Sequence, residues 1–194
     1  MRNFQAFSIK FPGLTDRIIS DITIFPAFDP TNPPIVPLPH VDTRALWDTG
    51  ATGSCISPGI AKTLGLKSVG MVNVNHAGGT GTSERYIVNL GLPHRVGFAG
   101  LLVHEVSEVA GKFSVILGMD VISRGDLAFT NANGESCFSF RMPSCAKIDY
   151  VEEWNSDRRI AEAKVGKDEP CPCGKKKPDG TVAKFKNCHG AVYA

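Results

Sequence analysis

Long apolar runs are missing from this 194-residue chain: nowhere do about 18 consecutive apolar side chains occur, the length a helix needs to cross a bilayer. The first residues, MRNFQAFSIKFPG, also lack the apolar core of a secretion signal. The expectation is a soluble, cytoplasmic protein with no membrane partner. A strong charge imbalance is absent too, since 21 Lys+Arg face 19 Asp+Glu for a formal net charge of +2. No internal repeat or low-complexity tract appears, so a solenoid is not indicated. A disulfide framework is not indicated either. Of the six cysteines, Cys55, Cys137 and Cys145 are scattered, while Cys171, Cys173 and Cys188 gather beside His189, a pattern that favours a reducing compartment and a metal.

What remains is ordinary globular material, 42% hydrophobic and 21% charged, enough for one good core plus an appendage. The charge is unevenly spread. Residues 1–141 carry 11 basic and 11 acidic side chains, whereas residues 170–194 carry five lysines against the single Asp179. Any preference for an anionic partner therefore belongs to the tail.

From Phe4 to Arg141 short β-type runs alternate with Gly, Pro and Asn. IISDITIFPAF, TRALWD, KSVGMVNVN, ERYIVNLGL, VGFAGLLVHEV, FSVILG, DLAFT and CFSF are rich in β-branched and aromatic residues and read as strands of an all-β barrel or sandwich. The segment DPTNPPIVPLP, with five prolines, cannot donate regularly to a sheet and reads as a surface loop. Ser57 and Pro58 open a short helix that Gly65 closes. A second helix is expected over Met119–Ser123, and Asn131–Gly134 (NANG) is a hairpin turn. Beyond Pro143 a polar stretch carries Ile148, Val151, Trp154, Arg158 and Ala161 at helical spacing. Three regions result: 1–142, a β domain; 143–167, a helical linker; and 168–194, a cysteine-bearing tail.

Within ALWDTGATGSCIS an acid directly follows an apolar strand and precedes a glycine turn, so Asp48 is expected at the mouth of the core. Thr49 offers a hydroxyl to lock the loop, and Gly50 lets backbone approach closely. The triplet alone is weak, arising by chance in roughly one chain in twenty or thirty of this length. It gains weight from SVILGMDVIS further along, where two large aliphatics precede Gly118 and a short helix follows.

Asp48–Ala51, Ile116-Leu117-Gly118 and the glycine-rich turn His76–Ser83 between them resemble, in order, the motifs of the retropepsin-like (retroviral-type) aspartic peptidases, over about Leu14–Arg141. The resemblance implies an all-β closed acid-protease barrel with short helices and an aspartic endopeptidase acting on extended polypeptides. It makes Asp48, Thr49 and Gly50 catalytic-loop residues, and Gly78, Gly79, Thr80 and Gly81 part of a flap that binds substrate. Such enzymes place a water between two carboxylates that share one proton. With one Asp-Thr-Gly in the chain, the second Asp48 has to come from another copy, in a homodimer.

The other candidates read as structural. Asp120 is expected to cap the helix after Gly118 or to pair with Arg124, and Cys55 to be a small buried hydrophobe. His76, His94 and His104 are dispersed without metal spacing.

In the tail, CPCG and CHG supply Cys171, Cys173, Cys188 and His189, a four-coordinate zinc set. The segment resembles the SEC-C motif found on the SecA motor and on many bacterial proteins. That resemblance implies a structural Zn2+ and a protein partner or substrate recruited through the knuckle. The gap between Cys173 and Cys188 is longer here than in compact SEC-C tails. Two readings compete with the peptidase: a non-catalytic protein-binding module of the same fold, and nucleic-acid binding through the basic tail.

Overall fold

The computed structural model describes residues 4–76, 79–106, 112–162 and 165–191. It forms two compact units, Met1–Cys145 and Ala146–Ala194. In the first unit the strands are β1 (Gln5–Lys10), β2 (Ile19–Pro26), β3 (Val41–Trp47), β4 (Cys55–Ile56), β5 (Gly70–His76), β6 (Gly79–Gly91), β7 (Gly97–Glu105), β8 (Val115–Leu117), β9 (Asp126–Thr130) and β10 (Cys137–Met142). Helices α1 (Pro58–Leu64) and α2 (Met119–Ile122) interrupt them, and α3 (Tyr150–Glu162) opens the second unit.

Strands β2, β3, β8, β4, β7 and β6 lie side by side in that order, and β2 pairs again with β6 from Thr23↔Gly91 to Pro26↔Val88. The sheet thereby closes into a six-stranded barrel. Period-2 patterning explains which faces turn inward: Ser20, Ile22 and Ile24 on β2 and Tyr86, Val88 and Leu90 on β6 are all buried. On β7 the alternation breaks between Phe98 and Leu101, because the register against β6 shifts between Val88 and Leu90. Gly100 supplies the left-handed φ of 65° that this irregularity needs, and its amide donates to Asn89 Oδ1 at 2.9 Å.

A second sheet, β1-β10-β9, lies against the barrel end. It brings Phe7, Phe138 and Phe140 onto the Trp47 ring, with centroids 6.1, 4.9 and 4.9 Å away. The indole N–H donates to Ser20 Oγ at 2.9 Å, so this large ring is buried without leaving its donor unpaired. Trp47 directly precedes Asp48, and the aromatic cluster therefore fixes the base of the candidate catalytic loop.

The expected strands all form. β1 and the two-residue β4 are additional: β1 has its partner some 130 residues away, and β4 is too short to carry a pattern. Gly65 ends α1 with φ 59°, as expected, while Ser57 takes the N-cap position without a side-chain bond. The Asn131–Gly134 turn joins β9 to β10. The proline-rich stretch 29–39 lies outside any strand, with Ile35 and Val36 exposed.

In the second unit α3 forms where the helical spacing places it, yet Ile148, Val151 and Trp154 are exposed rather than covered. Residues 165–191 are held by few regular elements: isolated bridges Pro170↔Lys184 and Lys176↔Val182, and amide bonds from Cys171 to Ala183 O and from Phe185 to Glu169 O, both 2.8 Å.

Candidate functional site

β8 is threaded between β3, which it pairs in parallel, and β4, which it pairs antiparallel. The chain leaving β3 must therefore arch over the end of β8 to reach β4, and that arch is Asp48–Ser54. Asp48 N donates to Leu117 O at 2.9 Å and Met119 N to Ala51 O at 2.8 Å, which pins both flanks of the arch. Gly118 passes beneath it so closely that a Cβ would stand 2.8 Å from Ala51 O and from the Gly53 carbonyl. This explains why glycine follows Ile116-Leu117. Inside the arch, Gly50 N donates to Asp48 Oδ1 at 2.8 Å and Ala51 N to Asp48 O at 3.2 Å. Asp48 is half-buried, whereas Thr49 and Gly50 are exposed.

Asp48 borders a recess of about 430 Å³ that Asp16, Arg17 and Phe113 also line. Gly50 and Ala51, on the other side of the loop, begin an open groove of about 1480 Å³ that runs past His104 and Asp120 to the stem of the β5–β6 hairpin. The hairpin is ladder-paired from Gly70↔Arg85 to His76↔Gly79. Of the expected flap residues, Gly78 lies outside the described residues. Gly79, Thr80 and Gly81 belong to β6 opposite His76, Asn75 and Val74, so Thr80 and Gly81 sit in the paired stem rather than at a free tip.

Asp120 is expected to cap the helix or to pair with Arg124; its carboxylate takes an amide in the first turn of α2 but not Arg124, and its other partner is Ser54. Its carboxylate accepts the Ser54 hydroxyl at 2.7 Å, Ser54 N at 3.0 Å and Val121 N at 3.0 Å, while Arg124 Nε reaches only the Asp120 carbonyl. Ser54, 66 positions away in sequence, could not be named from the chain alone. Its hydroxyl also accepts Gly118 N at 3.1 Å. Asp120 is thus a structural tie between the arch and α2.

Cys55 is buried as expected, but it is not alone. Its Sγ lies 3.1 Å from His104 Nε2, because β4 and β7 run in parallel with Cys55 and His104 in register. Burial, helped by the charges of Asp120 and Asp48, pushes the thiol up to about 11. Burial also lowers His104 below the ordinary histidine value, against the pull of Asp120. Both side chains are neutral at pH 7.

In the second unit the four residues singled out in the tail converge. Cys171 Sγ and Cys188 Sγ each lie 3.4 Å from His189 Nδ1, Cys173 Sγ lies 3.6 Å from Cys188 Sγ, and all four donor atoms fall within 4.8 Å of one another. Tetrahedral zinc with Zn–S near 2.3 Å and Zn–N near 2.0 Å requires donor separations of about 3.5 to 3.8 Å, so the donor set fits. Burial raises and hydrogen bonds from the Cys173 amide and His189 lower the Cys171 thiol, to about 6 on balance, while burial first pushes Cys173 up to about 11. A second thiolate here is costly until a cation compensates it. Gly174 (φ 71°) makes the turn after the first cysteine pair. His189 Nε2, on the ring's other side, is 3.6 Å from Asp157 Oδ1 of α3.

A closed six-stranded barrel with an Asp-Thr-Gly arch over a threaded strand is the fold of the retropepsin-like acid proteases, and the cysteine cluster of the second unit is consistent with a small knuckle. Residues 38–124 match the model of a family described as "gag-polyprotein putative aspartyl protease", a span that contains both Asp48 and Gly118 and ends before the tail. The match supports a retropepsin-like aspartic protease domain. Solved structures similar to the chain include a retropepsin-like aspartic protease from Rickettsia conorii, 15% identical over 72% of this chain and 96% of its own, with a TM-score of 0.44. EIAV protease complexed with the inhibitor HBY-793 is 18% identical over 57% of this chain and 88% of its own, TM-score 0.39. The retroviral protease-like domain of Ddi1 from Leishmania major is 24% identical over 45% and 71%, TM-score 0.32. No curated protein matches the chain.

Proposed function

We propose that the protein is an aspartic endopeptidase that works as a homodimer, with one Asp48 from each copy. The observation that carries this reading is the state of Asp48: held by Gly50 N in a pinned arch, half-buried, and bordering a recess open to solvent. The chain carries one Asp-Thr-Gly triplet, so a second such loop has to come from another copy. Two Asp48 carboxylates about 3 Å apart hold a single proton between them, because both cannot ionise cheaply. The ionised one draws a proton from the bound water as it attacks the scissile carbonyl, and the protonated one donates to the carbonyl oxygen.

The groove from Gly50 to the β5–β6 stem, about 1480 Å³ in volume, has room for a stretch of polypeptide in strand conformation. In this reading Thr49 and Gly50 position the partner loop and the water, and Gly78–Gly81 belong to a lid over the substrate. The knuckle of Cys171, Cys173, Cys188 and His189 holds a structural Zn2+, and with Lys175, Lys176 and Lys177 exposed around it it recruits a protein partner or substrate.

Asp48→Asn tests the reading. The variant is expected to keep the dimer and its unfolding temperature while losing at least about 100-fold in peptide cleavage. Cleavage at the wild-type rate, or a wild type that is monomeric when it cleaves, would show the assignment to be wrong.

A further inference from the structure

We propose that Cys55 and His104 form a second, open zinc site on the floor of the groove, distinct from the knuckle, through which free Zn2+ blocks the path of a peptide. The consequence for cleavage rests on the peptidase reading; the site itself does not.

The two donors are brought together by the barrel. Parallel pairing of β4 with β7 sets Cys55 directly beside His104, and both line the groove that begins at Gly50 and Ala51. Sγ and Nε2 are 3.1 Å apart, and a part of roughly 0.4 Å reaches the donor separation of tetrahedral zinc. The imidazole rests against Gly53, where a Cβ would stand 3.4 Å from Cε1, so a larger residue at that position would crowd the ring. Nε2 is the ring nitrogen that faces the thiol, so the tautomer with its proton on Nδ1 is the one that can take the metal. On metal binding the thiol proton leaves to solvent, and the S–H···N contact becomes S–Zn–N. The resulting Zn2+–thiolate unit carries net positive charge, which the carboxylate of Asp120, lining the same groove, favours.

Asp120 does not enter the coordination shell, since its oxygens already accept from Ser54 and Val121. Two protein donors leave the remaining positions to water. With two protein donors, fewer than the three of an open catalytic site, this site holds zinc less tightly than the closed set of three thiolates and an imidazole, so the groove fills only after the knuckle. A cation there occupies the same groove that Gly50 and Ala51 line, the space proposed for an extended chain.

The test counts metal on the full chain. Equilibrium dialysis against buffered Zn2+ is expected to give wild type one equivalent more than either Cys55→Ser or His104→Gln, with that extra equivalent being the one a weak chelator removes first. Equal stoichiometry in wild type and either variant overturns the site. In a peptide-cleavage assay, filling the second site is expected to reduce the wild-type rate at least tenfold, and the same Zn2+ is expected to leave the Cys55→Ser rate unaffected. Equal inhibition of both overturns the blocking role. A chain that binds the extra zinc but cleaves nothing under any condition supports the site and overturns the peptidase reading instead.

Discussion

The Ser54 hydroxyl donates to Asp120 Oδ1 at 2.7 Å and accepts the Gly118 amide at 3.1 Å, so a single buried side chain joins the exit of the Asp-Thr-Gly arch, the end of β8 and the start of α2. Ser54→Ala removes a donor from a carboxylate and orphans a buried amide. The expected loss is about 2 to 3 kcal/mol, read as a fall of roughly 6 to 10 °C in the unfolding midpoint. Ser54→Thr, which keeps the hydroxyl, should lose less, and an unchanged midpoint in Ser54→Ala would mean that the arch is held elsewhere.

Gly118 and Gly125 are required by close approach. A Cβ on Gly118 meets the Ala51 and Gly53 carbonyls at 2.8 Å, and one on Gly125 meets Arg141 O at 2.2 Å. Gly118→Ala and Gly125→Ala should each destabilise by more than about 3 kcal/mol or give insoluble chain. Gly59→Ala in α1, where the nearest atom is Ser57 Oγ at 3.9 Å, serves as the control and should be stabilising by about 0.4 to 1 kcal/mol. Denaturant titration of the three variants separates these outcomes.

Asp157 of α3 stands 3.6 Å from His189 Nε2, while Nδ1 faces the thiols. A carboxylate behind a metal-ligating imidazole fixes the ring and its tautomer. Asp157→Asn is therefore expected to weaken zinc binding by about tenfold or more in a chelator competition, without changing the number of zinc ions bound at saturation. An unaltered competition curve would show that Asp157 has no hold on the metal.

His104 and Cys55 predict a pH dependence of stability. His104 is lowered by burial, so below the ordinary value of 6.5 the unfolded chain binds the proton more readily, and stability falls as pH drops. His104→Gln should remove that part of the acid-side slope. The Cys55 thiol, pushed by burial from 9.0 up to about 11, ionises first in the unfolded chain, so stability falls as pH rises from 9 toward 11, and Cys55→Ser should flatten that limb. Chemical denaturation across about pH 5 to 10 checks both.

The sequence by itself determined what depends on neighbours along the chain. Strand alternation in β2, β6 and β10, the Gly65 stop of α1, the Asp48-Thr49-Gly50 turn and the two donor pairs of the knuckle, Cys171 with Cys173 and Cys188 with His189, are each written within a few residues, where backbone preference and side-chain period act directly. Tertiary structure alone decided what depends on register: that β2 closes the barrel onto β6, that β1 returns to β10, that Asp120 belongs to Ser54 rather than Arg124, and that Cys55 meets His104. Those partners lie 49 to 66 positions apart for the two side-chain pairs, and a shift of one residue in β4 or β7 would turn Cys55 or His104 to the opposite face.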